Sequence, residues 1–148
     1  MQITEYPQFE VNRAMIILRY KQPYVDWVKS AGEFPMEMTL EEANEDSEAF
    51  LVPSYDCQMD PIDGYESAVK WVEKRWRMFF EHTLMSWIAE ESEWPKKRTL
   101  KMFREWFDIE YKSMVWDMGV EPLMVEDFEE DGFAGLDGIF PDDGTLLH

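Results

Sequence analysis

The stretch 94-WPKKRTLKMFREWFDIEYKSMVWD-117 holds three tryptophans, two phenylalanines, a tyrosine and charges of both signs. How it is read decides how the rest of the chain packs. Thr99 can cap a helix, because its hydroxyl accepts from an otherwise unpaired N–H of the first turn. Gly119 and Pro122 lie just past a helical run ending near Met118, as helix stops commonly do. The spacing therefore predicts a helix over about 99–118. Leu100, Phe103, Phe107, Tyr111, Met114, Val115 and Met118 would line its core face. Lys101, Arg104, Glu105, Asp108 and Lys112 would form a solvated face, leaving Met102, Trp106, Ile109 and Trp116 as a further apolar strip. On this reading the aromatics are mostly packing, and the helix is too apolar for one simple contact.

Upstream, "DGYESAVKWVEKRWRMFFEHTLMSWIAEE" (63–91) has no proline or glycine after Gly64 and predicts a second long helix. Tyr65, Val69, Val72, Trp76, Phe79, Phe80, Thr83 and Trp87 fall on one face at 3.6 residues per turn. Trp71, Met78 and Met85 make a second stripe opposite. "RAMIILRY" (13–20) is short and apolar and reads as a buried strand, and "EAFLVPS" (48–54) as another, with Pro53 marking an edge or an end. Between them, Pro23 and Gly32 bracket a short helix over 23–31, and Thr39 and Glu42 have capping-box spacing. The fold class implied is α+β: a small β-sheet packed against two long antiparallel α-helices joined at Trp94-Pro95. Residues 1–118 would form one domain, and 119–148 an irregular acidic segment packed on it or partly mobile.

The chain has 148 residues, close to the usual size of one domain. Its seven Trp, ten Phe and six Tyr can fill a sizeable core. The net charge is −18 and is unevenly spread: residues 117–148 hold ten acids and no Lys or Arg. Such a field opposes direct binding of nucleic acid and anionic membranes and suits a basic partner. No apolar run long enough to span a bilayer occurs. The opening "MQITEYPQFEVNR" lacks the basic and apolar regions of a signal peptide, and Cys57 is a single cysteine. These features together predict a cytoplasmic protein.

Catalytic and metal chemistry finds little support in the residues. His82 and His148 are the two histidines, and the residue three before His82 is Phe79 rather than the Glu of a di-iron motif. The acidic run 127–144 does not fit a calcium loop, and no nucleotide-binding or nucleophile-elbow motif occurs. No cofactor is implied. Glu81, His82 and Glu110 are the candidate functional groups, each set among aromatics where a carboxyl or imidazole could act as acid or base. An ion pair to Arg13, Arg19, Arg75 or Arg77 is the competing role for those acids. Two basic knots, Lys70/Lys74/Arg75/Arg77 and Lys96/Lys97/Arg98/Lys101/Arg104, would dock the protein's own acidic tail.

The runs "LRYKQPYVDW", "TLEEANED…AFLVPSYD" and "WPKKRTLKMFREWFDIEYKSMVWDM" resemble a family of small bacterial proteins of unassigned function, over about residues 12–118. The resemblance implies no activity, cofactor or catalytic residue. Three functions follow from the residues as expectations. The first is a non-enzymatic protein-interaction module, working through an aromatic–Met surface (Trp71, Met78, Met85, Met102, Trp106, Ile109, Trp116) and the acidic tail, with a basic protein or a second copy as partner. The second is a small-ligand-binding or hydrolytic enzyme with Glu81, His82 or Glu110 in an aromatic-lined cleft. The third is an acidic mimic of nucleic acid that inhibits a basic protein.

Overall fold

A two-residue strand, β1 (Phe9–Glu10), precedes the strand that organises the fold, β2 (Arg13–Tyr20). The computed structural model describes residues 9–32 and 36–126. The chain divides into two units, one of residues 9–117 and one of residues 1–8 with 118–148. Of the second unit, residues 118–126 are described and carry neither helix nor strand. The expected packing of the acidic segment beyond them lies outside the described residues.

After β2 come α1 (Gln22–Ser30), α2 (Leu40–Asn44), β3 (Ala49–Pro53), α3 (Tyr65–Lys74), α4 (Trp76–Trp87), α5 (Leu100–Trp106), β4 (Phe107–Lys112) and β5 (Trp116–Asp117). Local chemistry sets several of these boundaries. Pro23 sits in the first turn of α1, and Gly32 follows at φ +86°, a conformation open to glycine without strain. Thr39 Oγ1 accepts from the Glu42 N–H at 3.1 Å while Glu42 Oε1 accepts from the Thr39 N–H at 2.9 Å. The predicted capping box at α2 is therefore formed on both sides.

The sheet is antiparallel, in the order β3-β2-β4. Ala14, Ile16 and Leu18 are fully buried on one face of β2, as alternation requires. The other face presents Met15, Ile17 and Arg19 beside the partly exposed Leu51 of β3 and the charged side chains of β4. β1 and β5 form a separate ribbon. Glu10 faces Trp116 and Met15 faces Lys112, so the first strand carries one residue more than its partner between these pairs. That extra residue is the signature of a β-bulge near the bend at Asn12.

The two long helices are replaced by shorter elements. The helix expected over 99–118 ends at Trp106, and Phe107–Lys112 turn into strand β4. "FDIEYK" alternates apolar and charged residues, so as a strand it turns Phe107, Ile109 and Tyr111 to the core and Asp108, Glu110 and Lys112 outward. It pairs with β2 over six residues, from Tyr20↔Phe107 to Met15↔Lys112, and the Trp106 carbonyl accepts from the Lys21 N–H at 2.8 Å. A strand edge on β2 thus competes with the next helical turn and wins. Met114 and Met118, expected in the core, are exposed. The long helix expected within 63–91 breaks at Arg75. There the Arg75 guanidinium donates to the Trp71 carbonyl at 3.0 Å and to Asp60 Oδ2 at 3.0 Å, taking a carbonyl that the helix leaves unpaired at its end. Tyr65 and Trp87, also expected in the core, are exposed.

The core itself is aromatic. Phe80 is fully buried and its ring lies 5.3–6.0 Å from those of Trp106, Phe107 and Phe103. Tyr24, Trp27 and Tyr20 extend the cluster to the end of β2. Trp94, Phe103, Trp106 and Phe107 are all buried, so most aromatics of the 94–117 stretch are packing, as expected, although on a different backbone.

Candidate functional site

Two clefts on the described surface of the 9–117 unit have aromatic walls. The smaller, of about 150 Å³, is lined by Tyr65, Phe103 and Ile109 among others. Glu73 and Arg104 on its wall close on one another, with Arg104 donating to both Glu73 oxygens at 2.8 and 2.9 Å. Their charges therefore cancel locally.

The larger cleft, of about 190 Å³, lies where the end of β2 meets α1, α2 and the last turn of α4. Tyr20 and Tyr24 are stacked, with centroids 4.3 Å apart and planes within 10°. Trp87 and Met38 add to the wall, and Asp46, Glu48 and Ser86 supply its polar atoms. Burial raises the ionisation of both tyrosines above the usual phenol range, and the Glu48 charge adds to the effect. Both phenols therefore stay neutral at physiological pH.

Glu48 is the centre of the polar side. Its Oε2 lies 2.9 Å from His82 Nε2, and Ser86 Oγ, which shares its single proton with the His82 carbonyl at 2.7 Å, stands 3.2 Å from Oε1. The His82 hydrogen bond, aided by Ser86, outweighs burial and holds the Glu48 carboxyl below its usual value. Phe50 packs edge-on against the His82 ring at 5.2 Å, fixing the imidazole. Ser86 and Trp87 are the last two residues of α4, whose final turn contains no basic residue. Its C-terminal carbonyls thus carry partial negative charge with no lysine or arginine of that turn to answer it.

Asn44, at the end of α2, ties down the backbone of Tyr20 beside this cleft. β3 is paired with β2 only as far as Ile17↔Ala49, which leaves the Tyr20 backbone without a strand partner on that side. Asn44 replaces it: Oδ1 accepts from the Tyr20 N–H at 2.8 Å, and Nδ2 donates to the Tyr20 carbonyl at 3.0 Å and to the Leu40 carbonyl at 3.2 Å. No motif in the sequence marks Asn44 or Glu48 for these roles. A weak hint exists for Asn44, since asparagine at a helix end often bonds nearby backbone.

The sequence candidates are not brought together. His82 does not line the cleft and reaches it only through its contact with Glu48. Glu81 is paired with Arg98 at 3.3 Å, and Glu110 with Arg19 and Lys112, each at 3.7 Å. The proposed aromatic–Met surface is likewise divided. Trp106 is 8% exposed and part of the core, while Met102, Ile109 and Trp71 are partly buried against it. Trp71 carries the Arg75 guanidinium 3.8 Å from a ring centroid, and its Nε1 is buried without a hydrogen-bond partner. Met78 and Met85 are 41% and 42% exposed on α4, and Trp116 is 49% exposed on β5. Of the basic knots, Arg75, Arg98 and Arg104 meet acids of the body itself. Their docking to the acidic tail concerns residues outside those described.

Among the described residues no cluster of three or more potential ligands could hold a metal ion, and no helix is long and apolar enough to cross a membrane. Comparisons with family models, with curated proteins and with solved structures return no match.

Proposed function

We propose that this chain is a non-enzymatic binding module for a basic partner. The observation that carries this reading is the larger cleft, where Asp46 and Glu48 stand beside stacked tyrosines and Trp87 at the carbonyl end of α4. Carboxylates, aromatic faces and helix C-termini each attract positive charge. The chain's net charge of −18 would speed the approach of such a partner.

The hydrolytic reading, which needs Glu81, His82 or Glu110 to converge in an aromatic-lined cleft, is less well supported. Glu81 is paired with Arg98 and Glu110 with Arg19 and Lys112, and none of the three lines either cleft. Ser86 Oγ bonds to Glu48, not to the His82 ring, so the carboxylate stands between hydroxyl and imidazole. A serine nucleophile needs the imidazole next to its hydroxyl to take the proton. With this order the base is turned toward an acid that it already partners.

The test is calorimetry with the full chain against a lysine- and arginine-rich peptide and a glutamate-rich peptide of equal length. The cationic peptide binds, more weakly as salt rises, and the anionic one does not. Equal binding of the two, or none of either, ends the proposal.

A further inference from the structure

We infer that the larger cleft takes a single primary alkylammonium group, as on a lysine side chain, and disfavours a guanidinium. This rests on the binding-module reading above and names the group that enters. The walls are amphipathic in the right order for such a group. Val28, Met38 and Ala43 give apolar cover to a methylene stem, while Asp46, Glu48 and Ser86 supply the polar atoms for its head. Long basic side chains lay their stems on apolar surface in this way. Tyr20, Tyr24 and Trp87 line the same space and favour a cation over a neutral head of equal size.

The choice between ammonium and guanidinium follows from Glu48. A guanidinium binds a carboxylate best as a planar fork, with two parallel N–H groups reaching two oxygens. His82 holds Oε2 at 2.9 Å, and Ser86 Oγ, whose single proton is shared with the His82 carbonyl at 2.7 Å, stands 3.2 Å from Oε1. A fork would therefore have to compete with both side chains for the carboxylate. An ammonium is a compact charge with three rotatable donors and needs only one remaining lone pair. Asp46 is exposed at the mouth and draws either cation inward without discriminating between them.

The experiment titrates the full chain with Nα-acetyl-lysine amide, Nα-acetyl-arginine amide, the neutral norleucine amide and n-butylamine, followed by calorimetry and NMR. The lysine amide binds about fivefold or more tighter than the arginine amide, and the norleucine amide does not bind, as a charge-directed aromatic site requires. Glu48→Gln removes the preference. Ser86→Ala, at an exposed position, frees Oε1 and narrows the preference to about twofold or less by admitting the fork. Trp87→Ala, also at the surface, weakens the lysine amide several-fold and reads the aromatic wall independently of Glu48. n-Butylamine matching the lysine amide supports a free amine as the natural source, and a clear preference for the amide supports a protein side chain. Equal affinity for lysine and arginine amides overturns the inference, as does a folded Glu48→Gln or Trp87→Ala chain that binds like the parent. If a basic peptide binds but is indifferent to these variants, the inference falls and the module reading stands. If no cation binds, both fall.

Discussion

Replacing Asn44 by alanine should loosen the cleft and the sheet together. The side chain makes three hydrogen bonds, two of them to the backbone of Tyr20 where β3 no longer reaches. Asn44→Ala leaves the Tyr20 N–H and carbonyl partly buried with no protein partner. A net hydrogen bond contributes roughly 1 kcal/mol, and an abandoned group costs somewhat more. Partial access of water to these groups lowers the total, so a loss of about 2–3 kcal/mol is expected. In urea, with a slope of about 2 kcal/mol per molar, that moves the midpoint down by roughly 1–1.5 M with the slope unchanged. Asn44→Asp is the informative control. It keeps an acceptor for the Tyr20 N–H but loses the donor to the Tyr20 and Leu40 carbonyls, which a carboxylate would repel. It should therefore fail to rescue at neutral pH. A midpoint for Asn44→Ala within about 0.3 M of the parent would show that water or a local shift replaces the side chain. The view of Asn44 as a stand-in for a strand would then be wrong.

Other outcomes follow from the same geometry. Phe80→Ala empties the centre of the ring cluster and should lower stability by about 3–5 kcal/mol, measured by the same urea titration. The Lys21–Trp106 bond sets the alternation of β4, so Glu110 aims its N–H at β2 and Ile109 aims its own at the open edge. Glu110→Pro should thus cost about 3 kcal/mol, on the scale of a lost backbone hydrogen bond with its steric clash, and more than Ile109→Pro. Equal losses would favour a helix there. The Glu48 carboxyl is held below its ordinary value of 4.5, so its contribution is complete above that pH and disappears as pH falls through the lower folded value. The stability gap between the parent and Glu48→Gln should accordingly shrink on acidification below about pH 4.5, read by thermal melts across that range. A gap that widened would place the stabilising interaction elsewhere.

What was legible in the sequence was what neighbouring residues decide. "RAMIILRY" forms a strand as its short apolar run indicates, although only one of its faces is fully buried, and Pro23, Gly32 and the Thr39–Glu42 box mark helix ends locally. The failure at 107–112 has a specific cause. Phe103, Phe107 and Tyr111 recur every four residues, while Phe107, Ile109 and Tyr111 recur every two, so one set of residues satisfies both periods. The deciding partner is the free edge of β2, some ninety residues earlier in the chain and invisible to any local window. The break at Arg75 is similar, since it depends on Asp60 and on a side chain turning back to Trp71. The sequence singles out His82, but its partner Glu48 lies 34 positions away, and Asn44 reaches Tyr20 over 24. Both contacts exist only once β2, β3 and α4 have packed.

Glu48 also differs from the other paired acids in what neutralises it. Asp60, Glu73, Glu81, Asp108 and Glu110 each meet a lysine or arginine, whose charge persists at any physiological pH. Glu48 meets an imidazole and a hydroxyl, which supply hydrogen bonds without a permanent positive charge. Its carboxylate is therefore oriented and yet keeps its negative charge whenever His82 is neutral. These hydrogen bonds stabilise the carboxylate without cancelling its charge, which leaves a permanent counter-ion something to add. A cation entering between Trp87 and the tyrosine pair would supply what the chain leaves out. Binding of such a cation should also raise the thermal midpoint of the parent, because it adds free energy to the folded state alone. The Glu48→Gln chain has no charge there to neutralise and should gain little from the same concentration of n-butylamine. An equal rise in both would locate the amine's effect away from this cleft.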